Sequence, residues 1–142
     1  MIILAYDHGA HEMFQKVKGY LQEKGLDFAE FASKEIDPLD NFTDFGRLAN
    51  NEVLKGNIGI YGCRSGIGMS MVSNRRKGVR GAICFNEKFA EMSRLHNDAN
   101  VCILPCDYID FDEVKKIIDK FLTTEFLGGK YQKRINDLDL ID

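Results

Sequence analysis

Five short apolar runs, rich in β-branched and aromatic residues, alternate with segments whose apolar residues recur at the helical period, and few architectures accept that order. A strand followed by a helix and another strand brings the chain back to the same end of a sheet, so the strands lie parallel and the helices cover the faces. The first run, Ile2-Ile3-Leu4-Ala5-Tyr6, is apolar at every position, as a strand buried on both faces is. Behind it Met13, Phe14, Val17, Tyr20 and Leu21 form one stripe of an amphipathic helix that Gly25 ends. Further strands are expected at 27–32, 58–62, 79–85 and 100–104, where Pro105 closes the last. Helices are expected around Phe45 to Val53, behind the cap Asn86, and behind the cap Asp110, with Gly128-Gly129 breaking the chain before a charged tail. The expected fold is α/β: a three-layer α/β/α sandwich on a five-stranded parallel sheet, Rossmann-like and doubly wound. At 142 residues without an internal repeat or linker, the chain suits one domain over 1–142.

Several functional classes fall away on composition. The longest unbroken apolar stretch, Met1 to Tyr6, is far below the roughly 20 residues that span a bilayer, and no charged segment precedes it. Neither membrane spanning nor secretion is expected. Nineteen basic against 22 acidic residues leave a net charge of −3, against a surface built for nucleic acid, so any anion site must be local. Cysteines at 63, 84, 102 and 106 lack the spacing of a disulfide scaffold and read as reduced thiols of a cytoplasmic protein. The C-x3-C pair at 102 and 106 has no second ligand pair, so no metal is expected.

In an open parallel sheet, strand 1 commonly has strand 2 on one side and strand 3 on the other, and ligands bind in the crevice this opens beyond the carboxyl ends. Asp7-His8-Gly9 ends strand 1, and Cys63-Arg64-Ser65-Gly66-Ile67-Gly68 ends strand 3 and runs into a helix. The backbone N–H groups of that loop suit a nest for a negative oxygen; the plainer reading is that its glycines let the helix approach the sheet. It is neither a dinucleotide fingerprint nor a Walker loop. Cys63, read at the start of a helix and beside Arg64, suits a reactive thiol, against the alternative of a small buried apolar residue. His96 precedes Asn97-Asp98-Ala99-Asn100, where periodicity alone favours capping and turn formation over catalysis. Lys130, Lys133 and Arg134 would share one helical face, as a cation cluster or as a solvated terminus.

Taken together, Asp7-His8, the run Ser65-Gly66-Ile67-Gly68-Met69-Ser70 after Cys63, Asn74, Gly78-Val79-Arg80, His96-Asn97-Asp98-Ala99-Asn100-Val101 and Gly128-Gly129-Lys130-Tyr131-Gln132-Lys133-Arg134 resemble the ribose-5-phosphate isomerase B family. The resemblance covers nearly the whole chain in order. It implies one sugar-phosphate isomerase domain that interconverts ribose 5-phosphate and ribulose 5-phosphate, with no metal and no organic cofactor. In the family's terms Cys63 carries the proton between C2 and C1, His96 opens the furanose ring, and Ser65 with the loop from Arg64 through Gly66, Ile67 and Gly68 forms the anion hole. Asp7, His8 and Asn97 become sugar ligands, and Lys130 and Arg134 take the phosphate. Methionine at 69 sets the chain apart from the branch that uses glutamate there. A homodimer or a dimer of dimers with shared active sites is also implied. Wider relatives act on galactose 6-phosphate and allose 6-phosphate, and a non-catalytic phosphate-binding subunit is the remaining alternative.

The departures from the family pattern are equally informative. Arg64 stands where a glycine is usual, Lys130-Tyr131 replaces Arg-His, and Asp107 occupies the place of an arginine after strand 5. The family's Asp-Tyr-Pro becomes Asn41-Phe42-Thr43. Arg64 is expected to point inward and replace the cation lost at 107.

Overall fold

The computed structural model describes residues 1–140; the last two residues of the expected domain lie outside the described residues. Five strands, β1 (Ile2–Tyr6), β2 (Phe28–Phe31), β3 (Ile58–Cys63), β4 (Gly81–Ile83) and β5 (Val101–Pro105), form one all-parallel sheet in the order β2-β1-β3-β5-β4. Six helices connect or follow them: α1 (His11–Glu23), α2 (Phe42–Val53), α3 (Ile67–Asn74), α4 (Glu87–Asn97), α5 (Phe111–Thr123) and α6 (Lys130–Leu138). None of these is long and apolar enough to cross a membrane.

The period-2 alternation of side chains along the strands divides the interior into two cores. Ile2, Leu4 and Tyr6 of β1 join Cys102 and Leu104 of β5 under Phe14, Val17 and Leu21 of α1, Ala90 of α4 and Val114, Ile117 and Phe121 of α5. Ile3 and Ala5 face the other way, with Tyr61 and Cys63 of β3, against Ala49 and Val53 of α2 and Met69 of α3. This gives the three expected layers.

Two expectations are corrected. The run 79–85 yields only a three-residue strand, because β4 lies at the sheet edge and the Arg80 N–H donates to the Asn100 side chain (2.7 Å) instead of a ladder carbonyl. Cys63 is not at a helix start: it is the last residue of β3, paired with Pro105, and α3 begins four residues later behind Gly66.

Candidate functional site

Parallel pairing puts the carboxyl ends of all five strands at one end of the sheet. In register Tyr6 lies opposite Gly62 and Cys63 opposite Pro105, so Asp7, His8, Cys63 and the loop that follows gather at the junction of β1, β3 and β5. Cys63 is buried, facing the α2 and α3 layer. Beyond it Gly66 takes φ +78°, the left-handed region open to glycine, and turns the chain into α3. No side chain caps α3; the Ile67 N–H is held by Ser65 Oγ (3.2 Å), while the N–H groups of Gly66 and Gly68 have no acceptor among the described residues. Gly68 also permits close approach, since a Cβ there would lie 2.7 Å from the Phe42 ring. The close-packing reading of Gly68 therefore holds, and the open N–H groups of the loop remain available for a nest.

On the other wall Asp7 opens a single 3₁₀ turn, His8–Ala10, and accepts the Gly9 N–H (3.0 Å). Burial lifts the Asp7 carboxyl above its ordinary value; the His8 charge opposes this and Asp40 adds to it. His8 is joined through Nδ1 to Asp40 at 2.7 Å. Asp40 is a residue the sequence reading missed, and it lies in the turn-rich loop before α2, 32 positions away. The donor atoms of Asp7, His8 and Asp40 lie within 4.8 Å of one another, but Asp40 is committed to His8 and Asp7 to Gly9, which makes them a hydrogen-bonded set.

Arg64 spans the mouth. Its Cγ lies 2.5 Å from where a Cβ on Gly9 would stand, and its Nη1 meets Asp107 Oδ2 at 3.4 Å with the side chain exposed. The two departures from the family pattern thus pair with each other. Burial, with the Cys63 and Asp107 charges, pushes the Cys106 thiol up, and a hydrogen bond donated to Cys84 together with burial pushes Cys102 up, which makes these two poor nucleophiles.

The other expected residues lie elsewhere in the chain. His96 and Asn97 end α4, which runs from the carboxyl ends of the strands back to their amino ends; there Asn100 accepts the Gly59 N–H (2.8 Å) and Arg80 accepts the Val101 N–H (3.2 Å). Gly59 and Cys63 are four residue steps apart along β3, roughly 13 Å of strand, so His96 and Cys63 of one chain sit at opposite ends of the sheet. The His96 ring stacks on Tyr131 of α6 (4.6 Å between centroids, 17° between planes), and Arg134 and Lys130 lie over the same ring at 5.5 and 5.3 Å. Asn97 is exposed and lines a cleft of about 620 Å³ with Arg75, Arg76, Lys77 and Arg80. A second cleft, about 780 Å³, runs between α2 and α3 and does not include Cys63. One chain therefore carries two candidate half-sites: the thiol and nest at one end, the imidazole and cations at the other. Tyr131 was also missed as a site residue, although its place beside Lys130 and Arg134 is a sequence signal.

Known proteins share this fold. A Mycoplasma pneumoniae protein named "probable ribose-5-phosphate isomerase B" is 32% identical over 139 residues, covering 96% of this chain and 91% of its own. The crystal structure of a Thermotoga maritima ribose 5-phosphate isomerase matches with a TM-score of 0.95 at 34% identity, over 99% of this chain and 97% of that one. A Mycoplasma genitalium ribose-5-phosphate isomerase B solved with bound ribulose 5-phosphate matches with a TM-score of 0.93 at 32% identity, over 98% and 93%. The family model described as Ribose/Galactose Isomerase matches residues 2–138, which takes in both half-sites. With the fold, the motifs and the length all in agreement, the chain belongs to the ribose/galactose isomerase family.

Proposed function

We propose that this chain is an aldose–ketose isomerase that interconverts ribose 5-phosphate and ribulose 5-phosphate, with Cys63 as the proton carrier. The observation that carries this reading is the buried thiol that ends β3, followed in the next turn of chain by the open N–H groups of Gly66 and Gly68. In the open-chain aldose, Cys63 as thiolate takes the C2 proton; the C–H electrons form the C1=C2 bond, and the charge moves to O1, where the nest stabilises it. The hydroxyl proton passes from O2 to O1, and the Cys63 thiol returns its proton to C1 as O2 becomes the carbonyl. Ser65, Asp7 and His8 hold the sugar from the same chain. His96 opens the furanose ring, and Asn97, Lys130 and Arg134 grip sugar and phosphate.

Because the two half-sites lie at opposite ends of the sheet, the working site takes its second half from another copy, in a homodimer or a dimer of dimers. No metal or organic cofactor takes part in this scheme. Four free thiols support a reducing, cytoplasmic setting. A second reading has one observation in its favour: the Arg64–Asp107 pair rearranges the cations at the mouth, which suits a six-carbon phosphate.

The test is a panel of ribose 5-phosphate, allose 6-phosphate and galactose 6-phosphate with wild type and Cys63→Ala. Fastest turnover on the pentose, falling by about 10²- to 10⁴-fold in the variant, is expected. Preference for a hexose phosphate would favour the second reading, and full activity of Cys63→Ala would end the cysteine mechanism.

A further inference from the structure

We infer that Asp40 is a positioning residue, which fixes the nitrogen that His8 presents to substrate. Three donors converge on its carboxylate: His8 Nδ1 at 2.7 Å and the His8 backbone N–H at 3.2 Å on Oδ1, and the Ser33 hydroxyl at 3.2 Å on Oδ2. The Asp40 side chain is 6% exposed, the His8 side chain 27%, so the carboxylate is the buried end of the pair and the ring reaches outward. A carboxylate ringed by donors only accepts, which places the ring hydrogen on Nδ1. Nε2 has no partner among the described residues, and in the neutral ring it is a lone-pair acceptor suited to a sugar hydroxyl. An imidazole free in water holds its proton on either nitrogen and rotates about two side-chain torsions. Here one carboxylate binds both the ring and the backbone of the same residue, so tautomer and orientation are set together. Asp40, itself almost wholly buried, acts only through His8.

The kinetic part of this inference rests on the isomerase reading; the spectroscopic part does not. In protein labelled with ¹⁵N-histidine, long-range proton–nitrogen correlations, assigned by their loss in His8→Ala, are expected to show His8 protonated on Nδ1 in the wild type. They are expected to revert toward the Nε2-protonated form in Asp40→Ala. On the best sugar phosphate, Asp40→Ala is expected to lose about ten- to hundredfold in kcat/KM, Asp40→Asn to recover part of it, and Asp40→Ala to add nothing in the His8→Ala background. Wild-type His8 protonated on Nε2, or an undiminished Asp40→Ala loss in the His8→Ala background, would overturn the assignment. Where Asp40→Ala does not fold, the wild-type spectrum and Asp40→Asn decide. A protein inactive on every sugar phosphate would refute the isomerase reading while the spectrum still judged Asp40.

Discussion

Asp7 illustrates a residue held against its own preference. Burial raises its carboxyl, so the folded chain binds that proton more tightly than the unfolded chain does. Its favourable contribution is present below the ordinary aspartate range and is lost as pH rises through the folded value, so at neutral pH the ionised group costs stability. Asparagine keeps an acceptor for the Gly9 N–H without the charge. Asp7→Asn is therefore expected to unfold at a higher temperature at pH 7, by less than about 1 kcal/mol because the residue is only part-buried, with the gain gone by about pH 4. Turnover should fall in the same variant. Thermal melts at both pH values check it, and unchanged or lower stability at pH 7 would contradict the account. At this scale Cys63, Asp7 and His8 were legible because each ends an apolar strand. Asp40 was not: no periodicity links a loop carboxylate to a histidine 32 residues earlier.

At the scale of elements, the start of α3 decides how the mouth of the site is lined. Gly66 turns the backbone, and Arg64, two residues before it, is carried over Gly9 toward Asp107 at the end of β5. An exposed ion pair of this kind contributes at most about 1 kcal/mol, so a phosphate can take the guanidinium from Asp107. Arg64→Gly is expected to lower kcat/KM about 10- to 100-fold, mainly through KM, the loss of one charge-assisted hydrogen bond. Asp107→Asn, which frees Arg64, is expected to lower KM. Steady-state kinetics on the two variants check this, and an unchanged KM in Arg64→Gly would leave Arg64 as a bystander. The sequence reading expected Arg64 to replace a cation lost at 107; what the structure adds is that Arg64 pairs with the residue at 107. That contact depends on β3 and β5 being neighbours, and no local pattern reveals that β5 slips between β3 and β4.

The whole molecule separates thiol and imidazole by the length of a strand, so on the proposed shared-site reading activity is a property of an assembly. Equal amounts of Cys63→Ala and His96→Ala chains, each impaired alone, pair at random into dimers of which half are mixed. Each mixed dimer has one intact site of two, so about a quarter of wild-type turnover is expected to return. Sedimentation confirms the dimer, and exchange of subunits without recovered activity would exclude shared sites. What the sequence by itself determined is local: strand and helix identity, carried by hydrophobic period, and the chemistry-bearing residues, marked by type and by place at element ends. Even the layer each β1 residue faces follows from alternation. What only the tertiary structure decided is relative placement: the inserted position of β5, the pairings of Arg64 with Asp107 and His8 with Asp40, the stacking of His96 on Tyr131, and the division into two half-sites. The physical reason is range. Periodicity and capping act over a few residues, whereas these contacts join distant segments that meet only when burial of the apolar faces closes the sheet and its helices into one packed body.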